Sequence, residues 1–288
     1  MCAQKRYPRT WMHWRSAALL VSLLIGSILL GANIFGLTQS LRKPGLGVTD
    51  HEQLRFIPEV VWSYSKSLDE IEGLQRLDSR EEIAEQANTI INRSLIHIEW
   101  ERVDPKEYRQ LVPFWENYFL WAIGRFTDLP QFNRYHYADY RRSLQRGIGI
   151  CGDASTALSS VLNRFNVPNE IISFKGHVIV EYEAQNGVRA LLDPDFGVSL
   201  GTSLQNLERN NEKVRERYFS AGYSEREINY LFEAYDRDYV IFDDTYHFMT
   251  QRYLFEKASY FLKWLLPFVL IFVPIFWAYR IRRRGNHR

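Results

Sequence analysis

An α+β body held between two membrane-crossing helices is the architecture predicted by this 288-residue sequence. Three observations predict it. Two long apolar runs, one near each end, have at most one charge between them. Between these runs, apolar residues recur at helical spacing over most of the chain. Beyond Pro168 the pattern shifts to three short runs rich in Val, Ile and Leu, separated by turn residues, as in an antiparallel sheet.

The first run, Ala17 to Leu37, holds 21 residues without a charge. As a helix it measures roughly 31 Å, the thickness of a bilayer core. A signal peptide has a shorter apolar region followed by a small-residue cleavage site, so an uncleaved anchor is expected. The second run, Tyr260 to Tyr279, carries Lys263 near one end, where it could snorkel to the interface. Pro267 and Pro274 should bend it, and Trp264, Trp277 and Tyr279 lie where interfacial aromatics gather.

Charge orients the two spans. Residues 1–37 carry four basic residues and no acidic one, and residues 260–288 carry six and none. The other 26 of the 36 basic residues face all 34 acidic ones in segment 38–259, a net of −8. The positive-inside rule puts both termini in the cytoplasm of a plasma (inner) membrane and the body in a periplasm-like space. A mildly acidic body argues against nucleic-acid binding. The expected division is a cytoplasmic N-terminus (1–16), a span (17–37), a helical extracytoplasmic region (38–126), a core with C-terminal helices (127–259), a span (260–279) and a basic cytoplasmic tail (280–288).

Within the body, residues 51–77 read as largely helical. Ser79 with Glu82 resembles a capping box, opening a helix with Ile83, Ala87, Ile90, Ile91 and Leu95 as its buried stripe. Asp104-Pro105 is expected to start another helix. Its aromatic part, 112–126, is read as packed into the core in preference to facing lipid or substrate. Segment 127–147 reads as turns. A helix then opens at Cys151, with Leu158, Val161, Leu162 and Phe165 at amphipathic spacing, and Pro168 ends it. Strands are expected over 171–174, 178–182 and 188–192, helices around 204–218 and 224–235, and a last strand over 239–242.

The chemistry-bearing pattern begins at Gly147-Ile148-Gly149-Ile150-Cys151-Gly152-Asp153. His177 follows 26 residues later and Asp193 another 16 later. At a helix start, free N–H groups and the helix dipole favour a thiolate. Glycines 147, 149 and 152 would let a substrate backbone approach. The chain has two cysteines, and with Cys2 on the cytoplasmic side Cys151 has no disulfide partner. Read alone, Cys151 is explained equally well as a small buried hydrophobe. His177 opens a strand, and Asp193 leaves the next one with Asp195 as a competitor for its role.

The turn Asn186-Gly187 makes register a test. A two-residue loop pairs Asp193 with Val180 and turns it away from His177. A three-residue loop, 185–187, with Gly187 left-handed in a bulge, pairs Asp193 with Ile179 and makes it a same-face diagonal neighbour of His177. The bulged register is expected.

The stretch Gly149-Ile150-Cys151-Gly152-Asp153-Ala154-Ser155, the helix to Phe165, Asn166-Val167-Pro168, Gly176-His177-Val178 and Leu192-Asp193-Pro194 together resemble the transglutaminase-like superfamily of papain-related thiol enzymes. The resemblance covers some 50 of 288 residues. It implies a cysteine helix packed on an antiparallel sheet, with Cys151 as nucleophile, His177 as base and Asp193 as its orienter. Asn166 departs from the usual glycine. The implied activity is a protease, amidase or acyltransferase acting on envelope peptide, protein or glycan-linked amides. The oxyanion would be met by the Cys151 N–H and one side chain, with Tyr140, Gln145 and Gly152 as oxyanion or substrate candidates. Zinc on Cys151, His177 and Asp193 is the rival use, but no HExxH or CxxC accompanies it; no metal or cofactor is expected. The expected partners are the bilayer, the substrate and subunits of an envelope complex. The alternative reading is a catalytically silent scaffold of an envelope or exopolysaccharide assembly. A third is a receptor whose cleft binds without cutting.

Overall fold

The computed structural model describes residues 9–47, 54–55 and 60–285. Its body is mixed helix and sheet, as expected. In chain order the elements are α1 (Arg9–Gly36), β1 (Leu54–Arg55), α2 (Tyr64–Gly73), α3 (Arg80–Ser94), β2 (Ile96–Ile98), α4 (Tyr118–Phe126), α5 (Pro130–Asn133), α6 (Tyr140–Arg146), β3 (Ile148–Gly149) and α7 (Cys151–Arg164). They continue with β4 (Asn169–Phe174), β5 (His177–Glu183), β6 (Arg189–Asp193), β7 (Val198–Ser199), α8 (Asn211–Ser220), α9 (Glu225–Tyr235), β8 (Tyr239–Phe242), α10 (Thr245–Phe248) and α11 (Thr250–Gly285).

A five-stranded antiparallel sheet, in the order β7-β6-β5-β4-β8, forms the centre. Alternation along its strands sends two sets of side chains to two cores. Val180, Tyr182 and Leu192 pack with α3 and α7. Ile172, Ile179 and Leu191 pack with α8 and α9 on the opposite face. A smaller sheet, β1-β2-β3, pairs β2 antiparallel with β1 and parallel with β3.

Caps set most helix boundaries. Ser79 accepts from the Glu82 N–H, and Ser224 and Glu227 form a reciprocal capping box. Four expectations are corrected. Of the helix expected over 51–77, only 64–76 is helical; Leu54–Arg55 pair in a strand, and 51–53 and 56–59 lie outside the described residues. Asp104-Pro105 opens only turns. Asp104 accepts from the Lys106 and Glu107 N–H groups, but Arg109 at φ 56° breaks the helical path. The aromatic helix begins at Tyr118, where the Asn117 side chain caps the Phe119 and Leu120 N–H groups. Segment 127–147 holds two short helices, α5 and α6, the second capped by Asp139 and closed by left-handed Gly147.

α1 and α11 carry the two apolar runs, and both are long and apolar enough to cross a membrane. Only 11% and 17% of their apolar windows are buried, which is unlike a core helix. Their packing explains how the prolines are tolerated. A proline leaves the carbonyl four residues earlier without its helical donor. Pro267 frees Lys263 O, which accepts from Asn33 Nδ2 and the Tyr118 hydroxyl. Pro274 frees Leu270 O, which accepts from Ser22 Oγ at 2.9 Å. Such substitution of donors is what a low-dielectric environment demands. Gly26 gives the two helices their close approach: a Cβ there would stand 2.8 Å from Ile271. Lys263 does not snorkel. It is buried, and its ammonium group turns inward to the Glu116 carbonyl.

Candidate active site

Cys151 is the first residue of α7, so its own N–H and the next two have no partner within the helix. Ile150 precedes it in extended geometry, and the Asp153 carboxylate reaches back to the Ile150 N–H at 3.0 Å. One turn further on, Ser155 Oγ donates to Val178 O at 2.8 Å, tying α7 to β5. Cys151 therefore overhangs the start of that strand, where His177 sits. Cys151 is partly exposed.

The hairpin between β5 and β6 takes the bulged register. Val180 pairs with Leu192 and Glu183 with Arg189, which places Asp193 opposite Ile179. Ala184 and Val188 close a three-residue loop, and Gly187, at φ 79°, occupies the left-handed position that only glycine takes without strain. Asp193 consequently shares a face with His177. His177 Nε2 donates to Asp193 Oδ2 at 2.7 Å.

Every remaining lone pair of that carboxylate is also used. Oδ2 accepts from the Tyr218 hydroxyl at 2.6 Å, and Oδ1 accepts from the Asp195 and Phe196 N–H groups at 3.1 and 3.2 Å. The Tyr218 and Tyr235 hydroxyls are 2.6 Å apart. Phe196 stands edge-on to the imidazole at 5.7 Å. With Nε2 engaged, Nδ1 is the ring nitrogen left for the Cys151 side chain, whose interaction with the ring favours the charged imidazole. Burial disfavours an imidazolium at a residue 3% exposed, but the Asp193 charge and hydrogen bond, together with Cys151, outweigh it and hold His177 well above the usual histidine range. Burial beside the same carboxylate pushes the Tyr218 and Tyr235 phenols well up, so both remain protonated donors.

The thiol opens into a cleft of about 990 Å³. One wall is Ile150, Cys151 and Gly152; another is Gln131, Phe132 and His136; the third is Phe248 to Arg252 and Phe255, where α10 ends and α11 begins. His136 was not singled out in the sequence. Its Nδ1 lies 2.8 Å from Asp153 Oδ2, and its ring stacks on Trp100 at 4.2 Å. Burial pushes the Asp153 carboxyl up, but His136, Arg146 and the Ile150 N–H together bring it below its usual value. Spacing gave no signal for this pair, because 17 residues and two intervening elements separate its members.

The other candidates fall elsewhere. Asp195 does not compete for His177; it holds His97 Nδ1 at 2.7 Å. Tyr140 and Gln145, both on α6, are not among the residues lining the cleft; Tyr140 lines a separate one with Ser160 and Tyr253. Gly152 does line it, but Gly147 and Gly149 do not. Gly147 closes α6, and a Cβ on Gly149 would meet Asp153 at 2.8 Å, so these two glycines serve packing and not substrate approach. Asn166 sits at φ 55°, a left-handed position that asparagine tolerates better than most residues.

No family model, curated protein or solved structure matches this chain.

Proposed function

We propose that the chain is a membrane-anchored thiol enzyme of transglutaminase-like type that carries an acyl group on Cys151. The observation that carries this reading is the buried His177–Asp193 pair, with one ring nitrogen left for a thiol that opens into a large cleft. The cysteine helix on an antiparallel sheet is consistent with the family resemblance. The positive flanks of the two spans favour a body outside the cytoplasm, facing envelope substrates.

The chemistry follows from the geometry. The Cys151 sulfur attacks an amide or ester carbonyl, and the charge developing on oxygen is met by N–H groups at the start of α7. Imidazolium at His177 is the proton source for the leaving amine as the C–N bond breaks. Asp193 keeps the ring oriented and stabilises its charge. Water or an amine then attacks the thioester carbonyl, neutral His177 takes its proton, and the C–S bond breaks.

The test is a burst measurement with p-nitrophenyl acetate on the full chain in detergent micelles. The expected result is about one nitrophenolate released per chain with an acetyl group on the Cys151 peptide, both lost in Cys151→Ala. No acetylation of Cys151 would favour the scaffold reading.

A further inference from the structure

The cleft beside Cys151 is built partly from a membrane-spanning helix. Thr250, Gln251, Arg252 and Phe255 belong to the first turns of α11, which continues without interruption into the apolar run. This start of α11 is fixed to the body. Glu256 accepts from the Ala138 and Asp139 N–H groups at 2.9 and 3.0 Å, and Ser259 Oγ accepts from Asn117 Nδ2 at 3.0 Å. From Phe261, itself 67% exposed, the outward face of α11 is apolar. At 1.5 Å per residue, Phe255 stands about 9 Å above that point, close to the depth of the lipid headgroups.

The lining matches that depth. Phe132, Phe248, Met249 and Phe255 make the wall facing Cys151 mostly hydrocarbon, with Arg252 as the cation at its edge. Alongside, α4 packs against α11, its Tyr118 hydroxyl donating to Lys263 O. At its last residue Phe126 is 74% exposed, and just beyond it Leu129 is 43% exposed. A soluble peptide cleft has no need of apolar walls that run into a membrane anchor.

We infer that the acyl donor is a membrane-resident amphiphile, an amide or ester carried within a headgroup's reach of a hydrocarbon chain, which enters from the bilayer and lays its apolar part against Phe132, Met249 and Phe255. This rests on the thiol-enzyme reading but is separable from it, because access to Cys151 can be read without catalysis.

The experiment uses the full chain in phosphatidylcholine vesicles and two N-alkyl chloroacetamides, ethyl and dodecyl, compared at equal membrane-phase concentration. The sulfur displaces chloride, forming a thioether at Cys151, and the labelled peptide is quantified by mass spectrometry. The dodecyl probe should label at least about tenfold faster, because the wall holds it with its carbonyl end beside the sulfur while the ethyl probe is not positioned there. Phe255→Gln with Met249→Gln should bring the ratio of the two rates toward one; a ratio cannot fall through misfolding that slows both probes alike. As a second measurement on the unmutated chain, N-dodecylacetamide should protect Cys151 from the ethyl probe, whereas N-ethylacetamide at equal membrane-phase concentration should not. Equal labelling by both probes, or equal protection by both amides, overturns the inference and leaves the thiol chemistry standing. Unchanged labelling in His177→Ala would instead count against the thiol chemistry and leave chain-length selectivity intact.

Discussion

Two histidine–aspartate pairs flank one thiol, and they divide the same residue types differently. In the pair on β5 and β6, His177 is buried, bound through Nε2, and raised well above its usual value. In the pair beside α7, His136 is bound through Nδ1 and stacked on Trp100; burial pushes the Asp153 carboxyl up, but His136, then Arg146 and the Ile150 N–H, bring it below its usual value. The first pair holds a ring whose second nitrogen is left for the sulfur. The second holds the start of α7 in place through the Asp153 carboxylate. A histidine–aspartate contact alone therefore does not mark a proton-transfer group; the nitrogen left over and what it faces do.

If that division holds, the largest difference lies in turnover. Cys151→Ala and His177→Ala should each lower acyl transfer about 10³-fold or more, as when a nucleophile or its base is removed. His136→Ala should cost less than the roughly 10²-fold typical of a proton-transfer group. Equal losses for the two histidines, measured by steady-state hydrolysis of an activated ester, would erase the distinction.

Stability should follow the opposite order. Asp153→Ala leaves Arg146 and His136 without their counter-charge in the interior, and breaking such a buried pair costs about 3–5 kcal/mol. Denaturant unfolding in micelles would measure it. A loss under about 1 kcal/mol, the value of a surface pair, would contradict the structural role.

The two pairs should also respond to pH in opposite directions. A raised histidine contributes stability that is complete below its unfolded value of 6.5 and is lost as pH rises through the folded one. The stability gap between the natural chain and His177→Ala should therefore narrow as pH climbs above 6.5. A depressed carboxyl contributes stability that is present above 3.8 and is lost as pH falls through the folded value. The gap between the natural chain and Asp153→Asn should narrow as pH drops below 3.8. Thermal unfolding across pH separates the two; parallel trends would refute the assignment.

The smallest effect belongs to the Tyr218 hydroxyl that donates to Asp193. Tyr218→Phe removes one hydrogen bond to the carboxylate and should cost about 2 kcal/mol. With one donor fewer the carboxylate should hold the His177 imidazolium more strongly, so the ring should titrate still higher, visible by NMR titration.

Much of this arrangement was legible in the residues. Periodicity places α7 and β4 to β6, and long apolar runs mark both candidate spans; Asn186-Gly187 allows two hairpin registers, of which the structure takes the expected bulged one. What stayed hidden depended on contacts between distant segments. Asp153 was visible as part of a motif, but its partners His136 and Arg146 come from a stretch read as turns, because α6 spans only two turns and shows no clear apolar period. Lys263 was assigned to the lipid edge on sequence position, but Pro267 makes the surrounding backbone polar and draws Asn33, Tyr118 and Glu116 toward it. Tyr140 and Gln145 lie upstream of the cysteine in sequence, but on α6 they are not among the residues lining its cleft.

One rate constant bears most directly on whether His177 activates Cys151. Full-length chain in micelles is treated with iodoacetamide at about pH 6, and alkylation of the Cys151 peptide is followed by mass spectrometry. An imidazolium paired with the sulfur should make the natural chain react at least about tenfold faster than His177→Ala. Equal rates, both rising with pH as for an ordinary thiol, would mean that Cys151 and His177 are neighbours without shared chemistry.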